Sequence, residues 1–237
     1  QARGKHRANP PFDAGKVPPE LVREDFFRKF ALDADDDEYD IYNRYDYTIA
    51  ISPDEASKIQ KKARSTRVIY IPMTFSVSPN HNTYDAPPVF AAGDNLFNIQ
   101  GYLYLASRVL PAVLEKEGRP TCDVLGDACK HFVEAPGTRL LGFVKDIKAH
   151  YAASKFAICP LIGGTGMQVK IPEAMAQGLP VITLKNVSKS SPVIHGVNGF
   201  IAESAHDFGE YMIELFNNRE LCRKMGRQAA ETIAEQF

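Results

Sequence analysis

From residue 47 onward the chain alternates short apolar runs with amphipathic helical stretches, and that alternation restricts the folds open to it. YTIAIS (47–52), VIYIP (68–72), VFAAG (89–93), CDVLG (122–126), TRLLGF (138–143), FAICP (156–160), PVITL (180–184) and GFIA (199–202) read as strands. Apolar strands this short, separated by helices, predict an α/β fold: a parallel sheet with helices on both faces. In such a sheet the ligand crevice lies outside the carboxyl ends of the strands.

The helices between them carry their own signals. Ser52 can cap PDEASKIQKKAR, with Pro53 in its first turn, Asp54 and Glu55 early, and Lys61, Lys62 and Arg64 late. Leu96, Ile99, Leu103, Ala106, Leu110 and Val113 recur in steps of three and four, with Asn95 or Asn98 as the cap. DIKAHYAAS (146–154), MQVKIPEAMAQ (167–177), DFGEYMIELF (207–216) and ELCRKMGRQAAETIAEQF (220–237) read as helices. Upstream, QARGKHRANPPF is basic and loop-like, ELVREDFFRKFAL (20–32) has helical spacing, and DADDDEYD (33–40) reads as a solvated acidic loop. SVSPNHNTYDAPP (76–88) is polar and proline-containing, as an interdomain linker would be. The chain starts at Gln1, which is expected of a processed or truncated piece.

Net charge excludes one class of partner. With 28 basic and 29 acidic residues the chain has no nucleic-acid footprint, so any anion site must be local. No run reaches the ~18 apolar residues of a membrane span. The four cysteines form no CxxC pair and read as reduced thiols. The six histidines show no ligand spacing; His195 is expected in a turn, with the crevice wall as the alternative. Asp33, Asp35 and Asp37 suggest a calcium loop, but Glu38 and Arg44 stand where glycine and glutamate belong. No metal site is expected.

The glycine cluster in PLIGGTGMQVKIPEAMAQGLPVITL (160–184) follows the strand FAICP and lands at the crevice. Gly163, Gly164 and Gly166 permit close approach of a ligand to the backbone. A glycine loop entering a helix start suits phosphate, and Lys170 adds a positive charge there. Glu173, an acceptor-only carboxylate, suits paired ribose hydroxyls. Pro172 is comfortable only in a first turn, so the regular helix is expected to begin near Ile171. The competing reading is a tight turn with Lys170 and Glu173 as a solvated pair. The segment matches neither GxGxxG nor the P-loop.

The pattern P-x-x-G-G-x-G-x-x-x-K-x-P-E-A-M-A-x-G-x-P-V-I resembles the donor-binding domain of GT-B glycosyltransferases, in particular the "glycosyl transferases group 1" family. GFVKDIKAHYAASKFAICP, HGVNGFIAE (195–203) and NIQGYLYLASRVLP (98–111) resemble family segments in the same order, and the likeness covers about residues 45–237. It implies a Rossmann-like donor domain over 89–237, a linker at 76–88, and the end of an acceptor-side Rossmann-like domain within 1–75. It implies a glycosyltransferase, hexosyltransferase-like and retaining, moving a sugar from a nucleotide diphosphate sugar to an acceptor hydroxyl without a cofactor. Carried over by position, Glu173 binds ribose. Gly163, Gly164, Gly166 and Met167, with Lys170, meet the diphosphate or sugar; Phe143 and Val144 lie near the base; Asp94 and Asn95 face the crevice.

Two departures stand out. The first glutamate of the family's E-x7-E falls on Thr165, and the loop DNLFN after VFAAG lacks a cation. A complete GT-B enzyme has two whole Rossmann-like domains, more than this length holds, so a fragment or a chain completed by another is expected. The alternatives are a non-catalytic nucleotide-binding module and a sugar-nucleotide epimerase of the same fold. The resemblance further implies glycan biosynthesis, an unidentified glycan or lipid-linked acceptor, and a cytoplasmic setting with peripheral association at the inner membrane face.

Overall fold

In the computed structural model, residues 18–23, 36–78, 82–118, 121–164, 167–188 and 191–237 are described. A small unit comes first: α1 (Asp36–Tyr42), β1 (Tyr47–Ala50), α2 (Pro53–Lys62) and β2 (Arg67–Tyr70). The strands pair in parallel, Tyr47 opposite Arg67 and Ala50 opposite Tyr70. Ser52 accepts from the Glu55 amide at 3.5 Å and caps α2 as its sequence predicts. The acidic stretch expected as a loop is instead helical from Asp36. Tyr39 is buried against Ala50, Ile59 and Ala63, and Lys62 Nζ sits 4.5 Å over its ring. Packing of one helical face overrides the loop-like composition.

The large unit runs β3 (Val89–Ala91), α3 (Leu96–Tyr104), a π-helical turn (Leu105–Val109), α4 (Leu110–Glu117), β4 (Cys122–Leu125), a 3-10 turn (Asp127–His131), β5 (Thr138–Gly142), α5 (Ile147–Ala153) and β6 (Ala157–Cys159). It continues with α6 (Lys170–Ala176), β7 (Val181–Leu184), α7 (Lys185–Ser188), β8 (Gly199–Ala202), α8 (Ala205–Asn217) and α9 (Arg219–Gln236). The helix expected as continuous from residue 96 to 113 is interrupted by the π turn. Pro111 lacks an N–H and would crowd the carbonyl four residues back, and the wider turn takes up that conflict.

All six strands are parallel, in the order β5-β4-β3-β6-β7-β8. The chain therefore steps outward from β3 to β5, crosses back through α5 to β6, and steps the other way to β8. Right-handed crossovers place α3 and α4 on one face and α5 and α6 on the other. The two last helices complete these layers, α8 packing on α4 and α9 on α6. Strands β4, β6 and β7 are buried along their whole length, as strands covered on both faces must be. At the end of β4, Gly126 has φ +112°, and a Cβ there would lie 2.3 Å from the Ala92 carbonyl oxygen. Only glycine allows the β3 and β4 loops to approach this closely.

The segment expected as an interdomain linker is held tightly. The Thr83 amide bonds to the Ala152 carbonyl at 2.9 Å, Asp85 to Ala153 at 3.0 Å, and Ser78 to Ala176 at 2.9 Å. The Tyr84 hydroxyl donates to the Gly178 carbonyl at 2.8 Å. These bonds satisfy terminal carbonyls of α5 and α6, so this stretch is a strap on the large unit. Upstream, the 3-10 turn Pro19–Val22 lies where a longer helix was expected; the rest of that expected helix, from residue 24, falls outside the described residues. Val22 is buried in the large core and Gln100 on α3 donates to the Leu21 carbonyl, although residues 1–75 were expected to belong to the acceptor-side unit.

Candidate functional site

The strand order reverses between β3 and β6, and there the loops after the two strands diverge. Two helices begin at this gap. α3 starts from Asn95, whose side chain accepts from the Asn98 amide at 3.0 Å, and its exposed first residue is Leu96. α6 starts from Val169 with no side-chain cap, whereas α2, α5, α8 and α9 begin on Ser52, Asp146, Ser204 and Asn218. Serine, asparagine or aspartate thus caps those helix starts, while the one after the glycine loop has no side-chain cap. Its first turn has little to offer an anion beyond the Lys170 amide, because the Ile171 and Glu173 amides bond to the Gln168 and Val169 carbonyls and Pro172 has no N–H.

Lys170 opens α6, one residue earlier than the proline argument places it. Its ammonium turns inward. It donates to Asn98 Oδ1 and lies 5.3 Å over the Phe90 ring. The solvated pair with Glu173 does not form. Part of the side chain remains accessible, yet burial of its charged end pulls the pKa below the ordinary lysine value. No carboxylate among the described residues pairs with it. Asn98 also donates to the Gly93 carbonyl at 2.9 Å, so one amide ties the β3 loop to the start of α6. Sequence reasoning treats Asn98 only as a possible cap; its link to Lys170 spans 72 positions.

Glu173 is half-buried on the same turn. Burial pushes its carboxyl above the ordinary glutamate value, against the opposite pull of Tyr151 and Lys148. The Tyr151 hydroxyl beside it is buried without a well-formed hydrogen bond. A cavity of about 10 Å³ between Tyr151, Cys159 and Lys170 has room for one water at most.

The glycine turn is partly closed on itself. The Val169 amide bonds to Met167 at 3.0 Å and Ile171 to Gln168 at 2.9 Å. Among the described residues nothing takes the amides of Gly163 or Gly164. Thr165 and Gly166 lie outside the described residues. Met167 is half-buried at the turn, and Met175 is in the core.

The remaining expected residues fall on the rim. Phe143 follows β5 with 71% of its surface exposed, and Val144 beside it is half-buried. Asp94 is exposed after β3 and pairs with Lys130 and with His131 Nε2 at 2.8 Å, which hold its carboxyl below the ordinary aspartate value. The DNLFN loop without a cation of its own therefore has two basic partners, brought from the 3-10 turn after β4. DACKH directly after the strand CDVLG is the signal that locates them. His195 does not line the crevice. It sits before β8, at the amino end of the sheet, where its ring accepts from the Ile201 amide at 3.1 Å. Asn198 of the same segment is buried and bonds to Thr232 on α9, a purely architectural role.

Among the described residues no His, Cys, Asp and Glu cluster could hold a metal ion, and no helix is long and apolar enough to cross a membrane. Cys122, Cys159 and Cys222 are buried free thiols, and Cys129 is half-buried and free.

No curated protein matches the chain. Solved structures share its fold. TarM superposes with a TM-score of 0.69 at 17% identity, over 85% of this chain and 43% of TarM. HepE from Anabaena, solved with UDP and glucose, gives 0.61 at 18% identity, over 93% of this chain and 65% of HepE. Sucrose-phosphate synthase from Thermosynechococcus elongatus gives 0.60 at 15%, over 84% and 56%. The chain thus spans less than two thirds of each. The sequence profile described as "Glycosyl transferases group 1" matches residues 87–218, more than half of the chain and nearly all of the large sheet with its crevice. The chain belongs to the glycosyl transferases group 1 family.

Proposed function

We propose that this chain forms the donor-binding half of a glycosyltransferase that takes a sugar from a UDP-sugar to an acceptor hydroxyl, with residues 89–237 as the donor domain. One observation carries the reading: among the described residues Lys170 is a buried cation with only a neutral amide and an aromatic ring as partners, placed where α3 and α6 both begin. A buried charge without a counter-ion is costly. A diphosphate in the crevice supplies the missing anion. UDP is preferred over other nucleotides because HepE and a variant of S. aureus TarM are described as UDP complexes.

In this reading the Gly163 and Gly164 amides and Lys170 hold the diphosphate. They stabilise the charge that grows on it as the glycosidic bond breaks. Glu173 accepts from the ribose hydroxyls, and Phe143 with Val144 flanks the base. Asp94 and Asn95 face the sugar. Thr165 stands where a carboxylate contact to the sugar is otherwise implied. Retention of configuration rests on the family resemblance alone.

Calorimetric titration with UDP and with uridine tests the proposal. UDP should bind at least about tenfold tighter, a difference of ~1.4 kcal/mol from the diphosphate. Equal affinities would remove the diphosphate role. A second reading, binding without turnover, draws on the partial span of the chain relative to its structural neighbours. Labelled UDP-sugar that is bound but neither transferred nor hydrolysed would favour it.

A further inference from the structure

A larger concavity lies away from the crevice. α6 starts at the crevice and ends at Ala176, two residues before Gly178, where the strap crosses toward α9. Between strap and helix is a cavity of about 460 Å³, within the range of small-molecule sites. Its polar lining consists of Asn82 and Tyr84 from the strap and Arg223, Arg227 and Glu231 from α9.

The lining is rich in donors without acceptors. Asn82 Nδ2 is buried and has no hydrogen-bond partner among the described residues. Arg227, one helical turn from Arg223, has no ion pair among the described residues. Arg223 gives one nitrogen to Glu220, and one Glu231 oxygen already accepts from Gln228 at 2.6 Å. Guanidinium groups present five N–H donors each and match phosphate geometry. Val77 and Ala230 add an apolar flank.

The wall is built to stay in place. Tyr84 has φ +57°, unusual for a bulky residue, and its hydroxyl is fixed on the Gly178 carbonyl. A Cβ at Gly226 would lie 2.1 Å from that carbonyl oxygen and 2.5 Å from the Tyr84 hydroxyl, so α9 meets the strap here only through glycine.

We propose that this cavity binds a phosphorylated molecule of monosaccharide size. Its phosphate engages Arg223 and Arg227, and its hydroxyls donate to the free oxygen of Glu231. The volume exceeds what inorganic phosphate fills, and Glu231 disfavours an occupant that is anionic throughout. This site does not depend on the donor-site reading.

Titration of the full chain with glucose 6-phosphate, glucose and inorganic phosphate tests it. Glucose 6-phosphate should bind one per chain with Kd below about 1 mM, at least about tenfold tighter than either fragment. Arg227→Ala, an exposed position, should weaken it about tenfold or more with an unchanged near-ultraviolet spectrum. Lys170→Met should leave it unchanged. Absence of binding, equal affinity in Arg227→Ala, or loss of binding in Lys170→Met would each overturn the proposal, the last by moving the phosphate to the crevice.

Discussion

Replacing Lys170 by methionine separates fold from function. The side chain keeps its length and loses its charge. Two effects on stability oppose each other. Asn98 Oδ1 loses its donor, at a cost of ~1–3 kcal/mol, while the desolvation of the ammonium is relieved. The melting temperature should therefore stay within about 4 °C of the parent. Binding changes more. A phosphate charge 4 Å from the ammonium gains ~4 kcal/mol at an effective dielectric near 20. The amine must leave Asn98, a charge-assisted bond of ~1.5–3 kcal/mol. The net ~1–2.5 kcal/mol corresponds to a loss of roughly 5- to 70-fold in UDP affinity. Uridine affinity should not move. Calorimetry with both ligands reads the difference. If a normally folded Lys170→Met chain binds UDP as tightly as the parent, the amine is structural and the assignment fails.

Four further outcomes follow from the structure. The depressed Lys170 pKa has a pH signature: the free fold disfavours the proton, so its stability should rise as pH climbs toward 10.5, and UDP affinity should fall over the same interval. Subtracting Lys170→Met curves isolates both effects. Glu173→Gln removes a carboxylate whose pKa is raised. The parent gains stability as pH falls through that raised value toward 4.5, and the variant should lack this gain. At neutral pH the variant should melt no lower than the parent yet bind UDP about tenfold more weakly, and a large drop in melting temperature would mark Glu173 as structural. Phe143→Ala should leave melting unchanged and weaken UDP and uridine alike by ~1–3 kcal/mol, the scale of a base–aromatic stack; unequal losses would place the base elsewhere. Gly126→Ala should cost ~3 kcal/mol or more, or about 6–12 °C, because its Cβ meets a backbone oxygen that cannot swing aside.

Much of this protein is legible in its residues. Strand–helix alternation, the caps at Ser52 and Asn95 and the glycine loop after FAICP are local signals, since periodicity and capping act over a few positions. The failures have a common origin. Residues 36–42 look like a loop until Tyr39 finds Ala50 and Ile59, and nothing in residues 76–88 announces the bonds that their amides make to the ends of α5 and α6. Strand order is likewise set by crossovers between distant segments. That order puts β3 beside β6, joins Asn98 to Lys170, and brings Lys130 and His131 to Asp94. The sequence by itself determined the kind of fold and which loop carries the charge. The tertiary structure alone decided that this charge is buried with no counter-ion among the described residues, because burial and partnership depend on neighbours that local patterns do not encode.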